Sequence, residues 1–179
     1  MAIHKRRLVD RITEPSYVEA LAQKPVEELR AMRAECAEAG NELSFERRLC
    51  QARIDIIEAE LARRAGGGEG RLVAELPRIL AGEIAGPSGP LPQRAPDLSV
   101  PRNADVPRRR VEEIAGEQVL GRLPQLSDQE LKGVLESLRA HERAISDTRR
   151  RVHEVLDALQ AELVRRYQSG EADPSAALR

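Results

Sequence analysis

The chain has 179 residues, a formal net charge of −1 and 33% charged residues, with 2% aromatic residues and no Trp. That length suits one domain with tails, and so few rings exclude a thick globular core and a base-stacking platform. The near-neutral balance lacks the basic bias of nucleic-acid binders, and no apolar run approaches the ~20 residues that span a bilayer, so neither direct DNA binding nor a membrane role is expected.

The start, MAIHKRRLVDRI, has basic residues but no apolar stretch of the kind a secretion signal needs, which predicts a cytoplasmic protein. Residues 5–24 contain Pro15 and read as a short helix and a turn. Pro25 suits the first turn of a helix, and no Pro follows before residue 64. Leu29, Met32, Cys36, Leu43, Cys50, Ile54, Ile57 and Leu61 recur at steps of three and four or their multiples. That spacing predicts a helix of about 40 residues with one apolar stripe. Cys36 and Cys50 on one helix would lie ~21 Å apart, too far to pair, so both are expected as buried thiols. The three histidines have no ligand cluster around them, and no metal is expected.

Residues 65–70 (AGGGEG) end the first helix. Residues 71–84 are weakly amphipathic and broken by Pro77, and could dock on a partner or fold back. Residues 86–107 are rich in Pro and read as a linker. Residues 108–120 are helical in pattern, and Pro124 breaks them. Ser127 with Glu130 three residues on forms a capping box. The helix it starts runs to about Tyr167, with Leu131, Val134, Leu138, Ile145, Val152, Leu156, Leu159 and Leu163 on its stripe. Residues 168–179 read as a disordered tail. The division is a first helical repeat (5–64), a linker with a short amphipathic segment (65–107), a second helical repeat (108–167) and the tail (168–179). The fold class is all-α: two long helices packed as a coiled coil, antiparallel packing favoured, with short flanking helices.

The two repeats are related by a shift of 102 residues without a gap, with 17 of 59 positions identical. Among the identities are Leu21/Leu123, Ser44/Ser146, Arg47/Arg149, Asp55/Asp157, Glu60/Glu162 and Arg64/Arg166. Packing accounts for the shared leucines. It accounts poorly for Ser and Asp, which are indifferent residues in mid-helix. Ser44, Arg47, Gln51 and Asp55 fall along one face of the first helix, and Ser146, Arg149, His153 and Asp157 along the same face of the second, where Glu142 extends the stripe. Arg can clamp a phosphate or a guanine edge with two parallel hydrogen bonds, and Asp can accept from guanine N–H groups. Two such stripes suit a two-fold, anionic, purine-bearing ligand.

The second stripe reads Glu142, Ser146, Arg149, His153, Asp157, and the first reads Gly40, Ser44, Arg47, Gln51, Asp55 at the same steps. This resembles the duplicated Glu-x3-Ser-x2-Arg-x3-Gln-x3-Asp signature of the RsiG family, cyclic-di-GMP-dependent anti-sigma factors of sporulating actinobacteria. Gly40 stands at the first Glu position and His153 at the second Gln position. The resemblance implies a helical coiled coil that binds cyclic-di-GMP, as a dimer, through Ser44, Arg47, Gln51, Asp55, Glu142, Ser146, Arg149, His153 and Asp157. So loaded, it would sequester a sporulation sigma factor of the WhiG type. With each helix taken as one half-site, the first is expected to be the weaker, and Arg149 to matter more than Arg47. The alternative is a coiled-coil adaptor or scaffold without a small ligand. An enzyme is not expected, because no catalytic arrangement is placed in a concave, water-excluding fold.

Overall fold

The computed structural model describes residues 8–67, 76–77, 80–81 and 110–173. Over them the protein is all-α: α1 (Leu8–Ile12), two 3-10 turns (Pro15–Val18 and Leu21–Gln23), α2 (Val26–Ala65), α3 (Arg110–Ala115), α4 (Glu117–Gly121), a 3-10 turn (Leu123–Gln125) and α5 (Asp128–Ser169). Residues 76–77 and 80–81 are also helical. The rest of the expected docking segment 71–84, the linker 86–107 and residues 174–179 of the expected tail lie outside the described residues.

The long helices begin and end where their chemistry dictates. In α2, Glu27 and Glu28 lie in the first turn and Arg63 and Arg64 in the last, which places each charge at the dipole end that favours it. The α5 capping box forms as expected: the Glu130 carboxylate accepts from the Ser127 backbone N–H at 2.7 Å, and the Ser127 hydroxyl accepts from the Glu130 N–H at 3.3 Å. Gly170, at φ +75°, closes α5 in a left-handed conformation that glycine adopts without strain. The helix runs to Ser169, and beyond it the Asp173 carbonyl accepts from Arg30 at 3.3 Å.

The chain forms two compact units, and these are not the two repeats. Unit 1 is Met1–Leu43 with Asp147–Arg179, and unit 2 is Ser44–Ser146. Each takes the first half of one repeat and the second half of the other. In unit 1 the long helices run antiparallel: Arg30 Nε donates to Tyr167 Oη at 3.1 Å, and Gly40 lies against His153. Ile12, Leu29, Met32, Cys36, Ala39, Leu43, Val152, Leu159 and Leu163 are buried there. In unit 2 the direction is the same: Cys50 Sγ donates to the Leu138 carbonyl at 3.2 Å, and Arg64 reaches Asp128 at 2.8 Å. Its core gathers Cys50, Ile57, Val111, Ala115, Leu123, Leu131, Leu135 and Leu138, with Ile54, Leu61 and Val134 partly buried against it. Both cysteines are free and buried.

Most of the expected seam is thus buried, with Ile54, Leu61, Val134 and Leu156 half-buried along it. Ile12 and Val111, on the short flanking helices, are also fully buried, so those two side chains pack into the fold.

Matching clamps hold the flanking turns. Arg64 donates to the carbonyls of Leu123 and Leu126, both at 2.7 Å, while its Nε donates to Glu60 at 2.7 Å. In unit 1, Arg166 donates to the carbonyls of Leu21 and Lys24 at 2.8 and 2.6 Å, and to Glu162 at 2.7 Å. Every residue of one clamp is 102 positions from its counterpart. Each fastens a 3-10 turn to the last turns of the opposite long helix, giving partners to carbonyls that would otherwise be lost to water.

Candidate ligand-binding site

The stripe residues divide between the units. Ser44, Arg47, Gln51 and Asp55 of α2 fall in unit 2 together with Glu142 and Ser146 of α5; Arg149, His153 and Asp157 of α5 fall in unit 1 with Gly40 of α2. All nine site residues are half-buried except Asp157, which is exposed.

In unit 2 the Arg47 guanidinium lies 3.7 Å from a Glu142 carboxylate oxygen. That same oxygen accepts from the Ser146 hydroxyl at 2.9 Å, one helical turn on. Arg47 Nε is buried and makes no hydrogen bond, a costly state for a charged donor unless something else satisfies it. The carboxylate of Glu46, beside Arg47, meets His141 Nε2 at 2.9 Å. The Cys50 thiol under this cluster is pushed up to about 11, first by burial and then by the negative charges of Glu142 and Glu46. The cluster therefore offers a half-buried cation with a spare donor, a carboxylate with lone pairs to give, and neutral groups from Ser44, Ser146 and Gln51.

In unit 1, His153 packs on Gly40: a Cβ placed on Gly40 would lie 3.6 Å from Nε2 and 3.8 Å from Cδ2 of the ring. Gly40 itself is buried. Arg149 and Asp157 continue along the α5 face.

The geometry revises the expected half-sites. Each helix was expected to supply one complete stripe, with the first helix the weaker for want of a Glu. The structure puts Glu142 beside Arg47, so the cluster that holds the signature Glu is the one built on α2.

Sequence reasoning missed the two Glu–Arg clamps and the Glu46–His141 pair. The clamps had a signal, since Glu60, Arg63 and Arg64 recur at +102. The Glu46–His141 pair had none, because its counterparts are Ala39 and Thr148. Two surface grooves occupy the same place in the two repeats, one lined by Arg11, Tyr17, Lys24 and Glu35, the other by Glu113, Val119, Leu126 and Ser137. Neither includes a stripe residue. Among the described residues no group of His, Cys, Asp and Glu could hold a metal ion, and no helix is long and apolar enough to cross a membrane.

No curated protein matches the chain. A family description does: RsiG-like, over residues 15–80 and 117–179. Those two segments make up most of the chain and carry all nine site residues, and the protein therefore belongs to the RsiG-like family.

Proposed function

We propose that the chain is an anti-sigma factor that takes up cyclic-di-GMP through its two clusters and, so loaded, sequesters a sigma factor of the WhiG type, repressing transcription without touching DNA itself. Family membership suggests the anti-sigma role. The ligand reading rests on one observation above all: the buried Arg47 Nε with no hydrogen-bond partner, held beside Glu142. A guanine offers acceptors at O6 and N7 to an Arg and N–H donors to a carboxylate, and its phosphate offers oxygens to the same Arg. Nothing in this role requires bond chemistry, and the polar groups work as recognition elements.

Calorimetric titration of cyclic-di-GMP into the protein, alone and with a WhiG-type sigma factor, tests the proposal. Saturable binding is expected, lost at least ten-fold in Arg47→Ala, since a charge-assisted hydrogen bond is worth ~1.5–3 kcal/mol and ~1.4 kcal/mol is a decade. Because Glu142 stands with Arg47, Arg47→Ala should now hurt more than Arg149→Ala. No binding under either condition would refute the reading and leave a scaffold without a ligand.

A further inference from the structure

The two places where one stripe departs from its twin are Gly40 and His153, and in the structure they face each other, a Cβ on Gly40 falling 3.6 Å from the ring. Their counterparts in unit 2, by the 102-residue shift, are Glu142 and Gln51. The chain thus carries the same pair of positions twice, once as a carboxylate with an amide and once as no side chain with an imidazole.

The contact explains why the changes go together. A methyl group at residue 40 meets the ring at ordinary van der Waals distance, so alanine fits. Gly40 is buried, and a longer side chain there starts against the tip of the ring. The ring in turn lies where residue 40 presents no side chain of its own. Neighbours this close are coupled, and substitutions at them do not add.

We infer that Gly40 and His153 form a single exchanged unit that sets the specificity of the unit 1 cluster: His153 meets the ligand there in place of the Glu and Gln of unit 2. This rests on the cyclic-di-GMP reading above. The exchange alters the chemistry offered. It removes a carboxylate, a pure acceptor that matches guanine N–H groups, and puts an imidazole where unit 2 has an amide, both of which donate and accept. The unit 1 cluster therefore lacks the acceptor that Glu142 offers to a guanine N–H in unit 2.

The test is a double-mutant cycle on the full chain, with cyclic-di-GMP titrated into the parent, Gly40→Glu, His153→Gln and the double variant, and with the thermal midpoint of each unliganded protein recorded. Gly40→Glu alone should weaken binding about ten-fold although it removes a mid-helix glycine. His153→Gln alone should weaken it several-fold. The double variant should return to within about three-fold of the parent, because it rebuilds the unit 2 pair. Gly40→Ala should bind like the parent and melt higher. Independent single effects that multiply in the double variant, or tighter binding by Gly40→Glu alone, would overturn the inference. So would coupling confined to the unliganded melting temperatures, which would make the pair a packing device. A parent that binds no cyclic-di-GMP fails the proposed function itself, a result distinct from all of these.

Discussion

Replacing Glu60 by Gln isolates the charge of one clamp. Glu60 is 1% exposed and accepts two hydrogen bonds from Arg63, both at 2.8 Å, and one from Arg64 at 2.7 Å. The Arg63 guanidinium first, with Arg64 beside it, holds the carboxyl at about 2 against an ordinary 4.5. A carboxylate whose folded value is depressed stabilises the fold above its unfolded value, and that contribution drains away as the pH falls through the folded one. At ~1.4 kcal/mol per pH unit, the gap between 4.5 and about 2 amounts to roughly 3 kcal/mol at neutral pH. Glu60→Gln keeps the shape and removes the charge. Urea denaturation of parent and variant, followed by helical circular dichroism from pH 7 to pH 2, should give a stability difference of about 3 kcal/mol at pH 7. The difference should halve near pH 3 and fall to about 0.4 kcal/mol by about pH 2. Glu162, held near 2 by Arg165 and Arg166, is present in both proteins and cancels. A difference that stays constant across the range would refute the reasoning, because it would mean that packing and not charge holds Glu60 in place.

The buried seam predicts that Ile145→Ala, at a side chain 4% exposed, costs about 2–5 kcal/mol in the same assay, and an unchanged unfolding midpoint would count against a well-packed seam there. Burial pushes the thiols of Cys36 and Cys50 up to about 11. An aromatic disulfide reagent at pH 8 should therefore leave both unmodified in the folded protein and titrate two thiols once urea is added; rapid labelling without urea would contradict their burial.

Periodicity made the fold readable because helices of this length bury one stripe and little else. Leu29, Ile57, Leu131 and Leu159 are all fully buried, and each lies where steps of three and four put it. Ser127 and Glu130 announced the start of α5 by their types alone. Pairing was not readable. Spacing fixes the face on which Arg47 lies but not what stands opposite, so the match of Glu142 with the α2 residues required the antiparallel register. Glu60 and Arg166 were missed for another reason: charged residues in the last turns of a helix look solvated until the carbonyls they cap are known. Phasing also misjudged depth at the edges of the stripe, where Ile54, Leu61 and Leu156 are only half-buried.

The reciprocal make-up of the two units bears on the order in which the protein folds. Unit 2 is a continuous piece of chain, whereas the parts of unit 1 come from its two ends with all of unit 2 between them. Closing the longer loop from scratch costs only about 0.6 kcal/mol more per doubling of length, but it must be met before any unit 1 contact rewards it. α2 and α5 each pass from unit 2 into unit 1, and extending a helix is far easier than nucleating one. Unit 2 is therefore the natural nucleus, and unit 1 forms by elongation from helices already begun. A destabilising change such as Leu138→Ala would then act mainly by slowing folding, and its counterpart at Cys36 mainly by hastening unfolding.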